Sequence, residues 1–189
     1  MTALRSAPAL LALVVLIAGC GGGTAGETTA ATTVASVSIG PADPHPCDLL
    51  TGSQAAGVLE SPVVDIDRTG SEGSDGEQAA CTWVGADNGV TLDVMVEGPS
   101  FFATAPAGYA TSEEAYDFWR EDTLEAGFPM EVVFAAGDAA FIPRIGSGAA
   151  NTMVMRSGKY LIHITLLAPG SGIEERMIDT ARMLAAALG

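Results

Sequence analysis

The stretch TMVMRSGKYLIHITLL, Thr152 to Leu167, decides how this chain folds. Two runs of mainly apolar residues flank Ser157-Gly158, a pair suited to a tight reversal because glycine takes positive φ without steric cost. The stretch predicts a β-hairpin of Thr152–Arg156 with Lys159–Leu167. Its second arm, YLIHITLL from Tyr160, is nearly all apolar. A strand with one wet face alternates apolar and polar residues. A continuous apolar run fits a central strand, covered on both faces or on one face and by a hairpin neighbour.

Outward from this hairpin the signals repeat. ACTWVG (Ala80–Gly85) and VTLDVMV (Val90–Val96) flank Asp87-Asn88-Gly89, and Asn-Gly is a strong hairpin turn. Shorter strands are expected over Met130–Ala135 and Ala139–Pro143. Three helix starts read as capping boxes: Thr51-Gly52-Ser53-Gln54, Thr111-Ser112-Glu113-Glu114 and Ser171-Gly172-Ile173-Glu174. In each, a hydroxyl accepts from the backbone N–H three residues on, and Gln or Glu reaches back. The first helix stops at Ser61-Pro62. The second turns Ala115, Phe118, Trp119 and Ala126 inward and ends at Gly127-Phe128-Pro129. The third carries an apolar stripe of Ile173, Met177, Ala181, Leu184 and Leu188. The expected class is α+β: a largely antiparallel sheet of about five to seven strands, with three helices packed mainly on one face. Neither alternating βαβ units nor a glycine-rich phosphate loop supports a dinucleotide fold.

The N-terminus has a different composition. Ala7–Gly19 (APALLALVVLIAG) is an apolar run too short for a comfortable membrane span, which needs about 20 residues. It suits the hydrophobic region of a secretion signal. Ile17-Ala18-Gly19-Cys20 resembles the bacterial lipobox. That resemblance implies cleavage before Cys20 and a diacylglycerol on its sulfur, and two acyl chains anchor stably where one does not. Gly21 to His45 is rich in Gly, Thr, Ala and Pro and has no aromatic residue, the composition of a flexible tether. The expected organisation is a signal peptide over 1–19, a lipidated cysteine and tether over 20–45, and one globular domain over 46–189. The resulting address is the extracytoplasmic face of a cell membrane, with Cys20 as the anchor.

The net charge is −15, and all 23 acidic residues follow Cys20. So acidic a chain is a poor partner for nucleic acid or for an anionic bilayer surface. With Cys20 lipidated, Cys47 and Cys81 remain. An even pair in an exported domain most simply forms a disulfide. Free thiols or metal ligation are the alternatives, and two cysteines without histidines at ligand spacing make a poor zinc site.

Pro46-Cys47-Asp48-Leu49-Leu50-Thr51, Cys81-Thr82-Trp83, Gly137-Asp138-Ala139-Ala140-Phe141 and the hairpin at Arg156-Ser157-Gly158, in this order behind the lipobox, resemble a family of actinobacterial envelope lipoproteins of unknown function. The resemblance covers most of the chain from Pro46 to the last helix. It implies export, lipidation and pairing of the two cysteines. It implies no enzymatic activity and brings no catalytic residues.

Few residues point to chemistry. DIDRTGSEGSDGE (Asp65–Glu77) opens like a calcium loop, with Asp65, Asp67 and Thr69 at positions one, three and five and glycine at six. Position twelve is Gly76, and the closing carboxylate arrives one residue late, at Glu77. The stretch is therefore expected to be a polar connection between extended segments, with Asp65, Asp67, Thr69 and Glu77 only weak metal candidates. His163 in its apolar strand is expected to be a core imidazole with a local hydrogen bond. His45, between two prolines, is expected to be exposed. No G-x-S-x-G nucleophile motif occurs. Six methionines beyond the signal segment are more often core filler than a ligand site. Phe101–Tyr109 (FFATAPAGY) suits a docking surface or an inward-folding strand end.

Together these features point to a non-enzymatic, membrane-anchored binding or accessory module of a bacterial envelope, without cofactor. Its partner would be an envelope protein; a carrier or sensor of a small apolar ligand such as a lipid is the alternative. A hydrolase has the least support.

Overall fold

The computed structural model describes residues 43–70, 78–87, 89–104, 108–133, 136–144 and 150–189. Cys20, the tether to residue 42, Glu77 and Asn88 lie outside the described residues. Two short helices, α1 (Pro46–Leu49) and α2 (Gly52–Leu59), lead into strands β1 (Val63–Thr69), β2 (Ala79–Gly85) and β3 (Thr91–Glu97). Helices α3 (Pro99–Thr104) and α4 (Ser112–Glu125) follow. Strands β4 (Met130–Val133), β5 (Ala139–Pro143), β6 (Ala150–Ser157) and β7 (Tyr160–Leu167) and helix α5 (Ile173–Leu188) complete the chain. The seven strands form one antiparallel sheet in the order β1-β2-β3-β7-β6-β5-β4.

The apolar arm YLIHITLL is the middle strand of that order. Its alternate residues Ile162, Ile164 and Leu166 enter the main core beside Met153 and Met155 of β6 and Leu92, Val94 and Val96 of β3. Helices α2 and α5 close this face with Val58, Leu59, Met177, Ala181 and Leu184. Each fully buried Val, Leu, Ile or Met side chain among these contributes about 1.5–3 kcal/mol of transfer free energy. The opposite face holds a second cluster: Leu161, Val154 and Phe141 from the sheet, Phe101 and Phe102 from α3, Tyr109, and Ala115 from α4. That layer exists for a topological reason. Helices α3 and α4 carry the chain from β3, in the middle of the sheet, out to edge strand β4, and the meander β4–β7 returns it to the centre. Covered on both faces, β7 must be apolar on both, which its sequence records.

The local signals act as their chemistry dictates, with one exception. Thr51 and Gln54 close a full capping box on α2. Thr111 Oγ1 accepts from the Glu114 N–H, while Glu114 accepts from Ala110 rather than from the cap residue itself. The exception is α5. Its N-cap is Gly172 at φ 79° with no side-chain cap, and Glu174 is engaged by Arg144 instead.

Three further expectations are corrected. Asp65–Thr69 is strand rather than loop: it pairs with Val84 to Ala80 of β2. Strand β1 is an edge with both faces wet, so it has no apolar alternation to betray it. Pro99–Thr104 is helical, and its first turn is capped from far away, by Asp43 Oδ2 accepting from the Ser100 N–H at 2.9 Å. His45 is buried, not exposed, at 1% of its accessible surface. Its Nδ1 accepts from the Cys47 N–H and its Nε2 lies 3.1 Å from the Thr69 carbonyl, so it both caps α1 and ties it to β1.

Candidate functional site

Cys47 and Cys81 form a disulfide, with Cα atoms 5.2 Å apart. It fastens α1 to β2 against the main core. Asp48 and Arg68 add a bidentate ion pair on the outside, at 2.9 and 2.8 Å. Asp65, Asp67 and Thr69 lie exposed along extended β1, not curled about a common centre, and Asp65 Oδ1 accepts from the Ile66 N–H. Among the described residues no group of three or more His, Cys, Asp or Glu could hold a metal ion. No helix among them is long and apolar enough to cross a membrane.

The residues that converge are others. Glu97 ends β3 with its side chain wholly buried, and His163 sits beside it on β7. Glu97 Oε1 accepts from the Gln78 amide at 2.6 Å and lies 3.8 Å from His163 Nε2, too far for a hydrogen bond. Trp119 of α4 meets the imidazole edge-on, ring centres 5.1 Å apart. The Tyr109 hydroxyl comes near both the Glu97 carboxyl and the Trp119 indole. It closes a well-formed hydrogen bond to neither, and Glu97 Oε2, His163 Nε2 and Trp119 Nε1 have no full partner. Burial pushes the Glu97 carboxyl up to about 7, against the opposing pull of Gln78 and Tyr109. Burial also pushes the His163 imidazole down to about 4. Both groups are thus held toward their uncharged forms. Charges cost most where water cannot reach them.

Above this cluster the C-terminal half of α4 stands clear of the sheet, with only Thr123 half-buried between Arg120 and Gly127. A cavity of about 160 Å³ lies between it and the sheet. Trp119, Ala126 and Phe128 line it from the helix side, Pro143, Val154 and His163 from the sheet side. On the solvent side the same segment exposes Phe118, Leu124, Phe128 and Val132, each between 36% and 56% accessible. Phe118, predicted to face inward, is therefore outside, and Ala126 faces the cavity but stays exposed. Tyr109 and Trp119 take Phe118 into an aromatic row, and that row uses up its helical-face signal.

His163 and Trp119 were visible in the sequence as an inward imidazole and an inward indole. Glu97 was missed; its only signal is an acid closing an apolar strand directly before Gly98-Pro99. The FFATAPAGY segment does fold inward, through Phe101, Phe102 and Tyr109.

The fold thus defines an antiparallel α+β domain with a disulfide at one end and a buried acid–imidazole pair under a helical layer. No protein-family profile and no curated protein matches this chain. Among solved structures, a GTP-binding regulator from Thermotoga maritima is similar over 79% of this chain and 95% of its own. The identity is 15% and the TM-score 0.33, too low for the likeness to bear on fold or function.

Proposed function

We propose that this protein is a lipid-anchored envelope lipoprotein whose domain is a non-enzymatic binding module, docking a partner protein through the outer face of α4 and β4. The observation that carries this reading is a concentration of exposed apolar side chains. Of six exposed large hydrophobics among the described residues, Phe118, Leu124, Phe128 and Val132 come from one segment. Exposed apolar groups concentrated in one segment and rimmed by charge are a usual mark of an interaction site. Here the rim is acidic: Glu113, Glu114, Asp117, Glu121, Asp122 and Glu125 share α4 with one cation, Arg120. The partner surface that complements it is basic with apolar anchors. The membrane anchor rests on the resemblance of Ile17-Ala18-Gly19-Cys20 to the lipobox.

The test pairs two variants. Phe118→Ser with Leu124→Ser should abolish co-extraction of the partner from the membrane while the thermal midpoint stays within a few degrees. Val64→Ser with Ile66→Ser, at the opposite edge of the sheet, should leave co-extraction intact. Equal loss in both, or in neither, would remove α4 from the reading.

A further inference from the structure

The cavity beneath α4 has a chemistry of its own. Its aromatic walls are Trp119 and Phe128, and among the described residues Asp122 is its one acidic lining residue and neither lysine nor arginine lines it. The one other titratable group, His163, is held uncharged at neutral pH by its burial. We propose that this cavity binds a small organic ammonium ion, packed against Trp119 and Phe128 and matched in charge by Asp122.

Three observations support that ligand class. A volume of about 160 Å³ is close to the roughly 150 Å³ that accommodates benzene, so it holds a quaternary ammonium headgroup of similar size. Indole and phenyl faces attract cations, tryptophan most strongly, and aromatic walls with a nearby carboxylate suit an ammonium better than an anion or a neutral hydrocarbon. A chain of net charge −15 also raises the local concentration of cations around such a mouth and lowers that of anions. The cavity shares Asp122 and Phe128 with the partner face, but ligand binding there does not require a protein to dock.

Choline and its uncharged isostere, in which a quaternary carbon replaces the nitrogen, are the probes. Each is titrated into the full chain in choline-free buffer and lipid, read by calorimetry and by tryptophan fluorescence. Choline should bind at least about tenfold more tightly than the isostere, and Asp122→Asn and Trp119→Phe should each weaken choline by about fivefold or more. Asp122 is exposed, so its replacement keeps the fold, and an unchanged far-ultraviolet spectrum checks this. Equal affinity for the two probes, no binding of choline, or unaltered binding by Asp122→Asn would each overturn the proposal.

Discussion

Glu97 and His163 are diagonal neighbours across the β3–β7 ladder, 3.8 Å apart, Glu97 wholly buried and His163 mostly so, and neither is the other's hydrogen-bond partner. Their ionisations oppose each other. An acid raised from 4.5 to about 7 contributes stability at low pH that is lost as pH rises through 7. An imidazole lowered from 6.5 to about 4 contributes stability at high pH that is lost as pH falls through 4. Between about pH 5 and 6 the folded pair is acid plus neutral imidazole, and the unfolded pair is carboxylate plus imidazolium. Each state binds one proton, so the pair adds almost no slope there.

Single replacements should expose the two halves. In His163→Phe, stability relative to wild type should fall as pH rises from about 4 to 6.5. In Glu97→Gln it should fall as pH drops from about 7 to 4.5. Each span is on the order of 3 kcal/mol. Urea midpoints from about pH 4.5 to 8 measure both, and parallel profiles for the three proteins would contradict the assigned ionisation states.

The disulfide closes a span of 34 residues that includes edge strand β1. Replacing Cys47 and Cys81 by alanine should cost about 3–4 kcal/mol, chiefly by freeing the unfolded chain. Hydrogen exchange should show β1 and α1 losing protection before β7. Uniform loss across the sheet would mean that the bond does not act locally.

Gly137 and Gly158 both have positive φ, at 59° and 55°, but their surroundings differ. A Cβ on Gly137 would collide with the Arg156 carbonyl, while one on Gly158 would meet open space. Gly137→Ala should therefore cost about 2 kcal/mol or more, against about 1 kcal/mol for Gly158→Ala. The same turn explains the GDAAF stretch: Asp138 N–H donates to the Arg156 carbonyl at 2.8 Å, and Asp138 Oδ2 accepts from the Gly158 N–H at 2.7 Å. Equal costs from chemical denaturation would undo this account of the β6–β7 turn.

Much of the fold was legible because burial leaves a period. The apolar arm of β7 and the Met177–Ala181–Leu184 stripe of α5 each had a core on the other side. Where no core lies behind an element, the pattern fails. Strand β1 holds its place by backbone pairing and by a helix tied to β2 through sulfur, so its sequence reads as solvated loop. Helix α3 takes its cap from Asp43, which no local motif could reveal. Ser171 had the right spacing, but Gly172 already turns the chain and Arg144 claims Glu174. The Glu97 cluster was hidden for a related reason: its members come from three elements and an intervening loop, brought together only when α3 and α4 cross the sheet.

The measurement that bears most directly on the proposed role is native mass spectrometry of the protein extracted from its own membrane, wild type beside Phe118→Ser with Leu124→Ser. The wild-type chain should begin at a diacylglycerol-modified Cys20 and carry a second protein, and the variant should keep the lipid and lose that protein. An unlipidated chain, or one that is monomeric in wild type and variant alike, would contradict it.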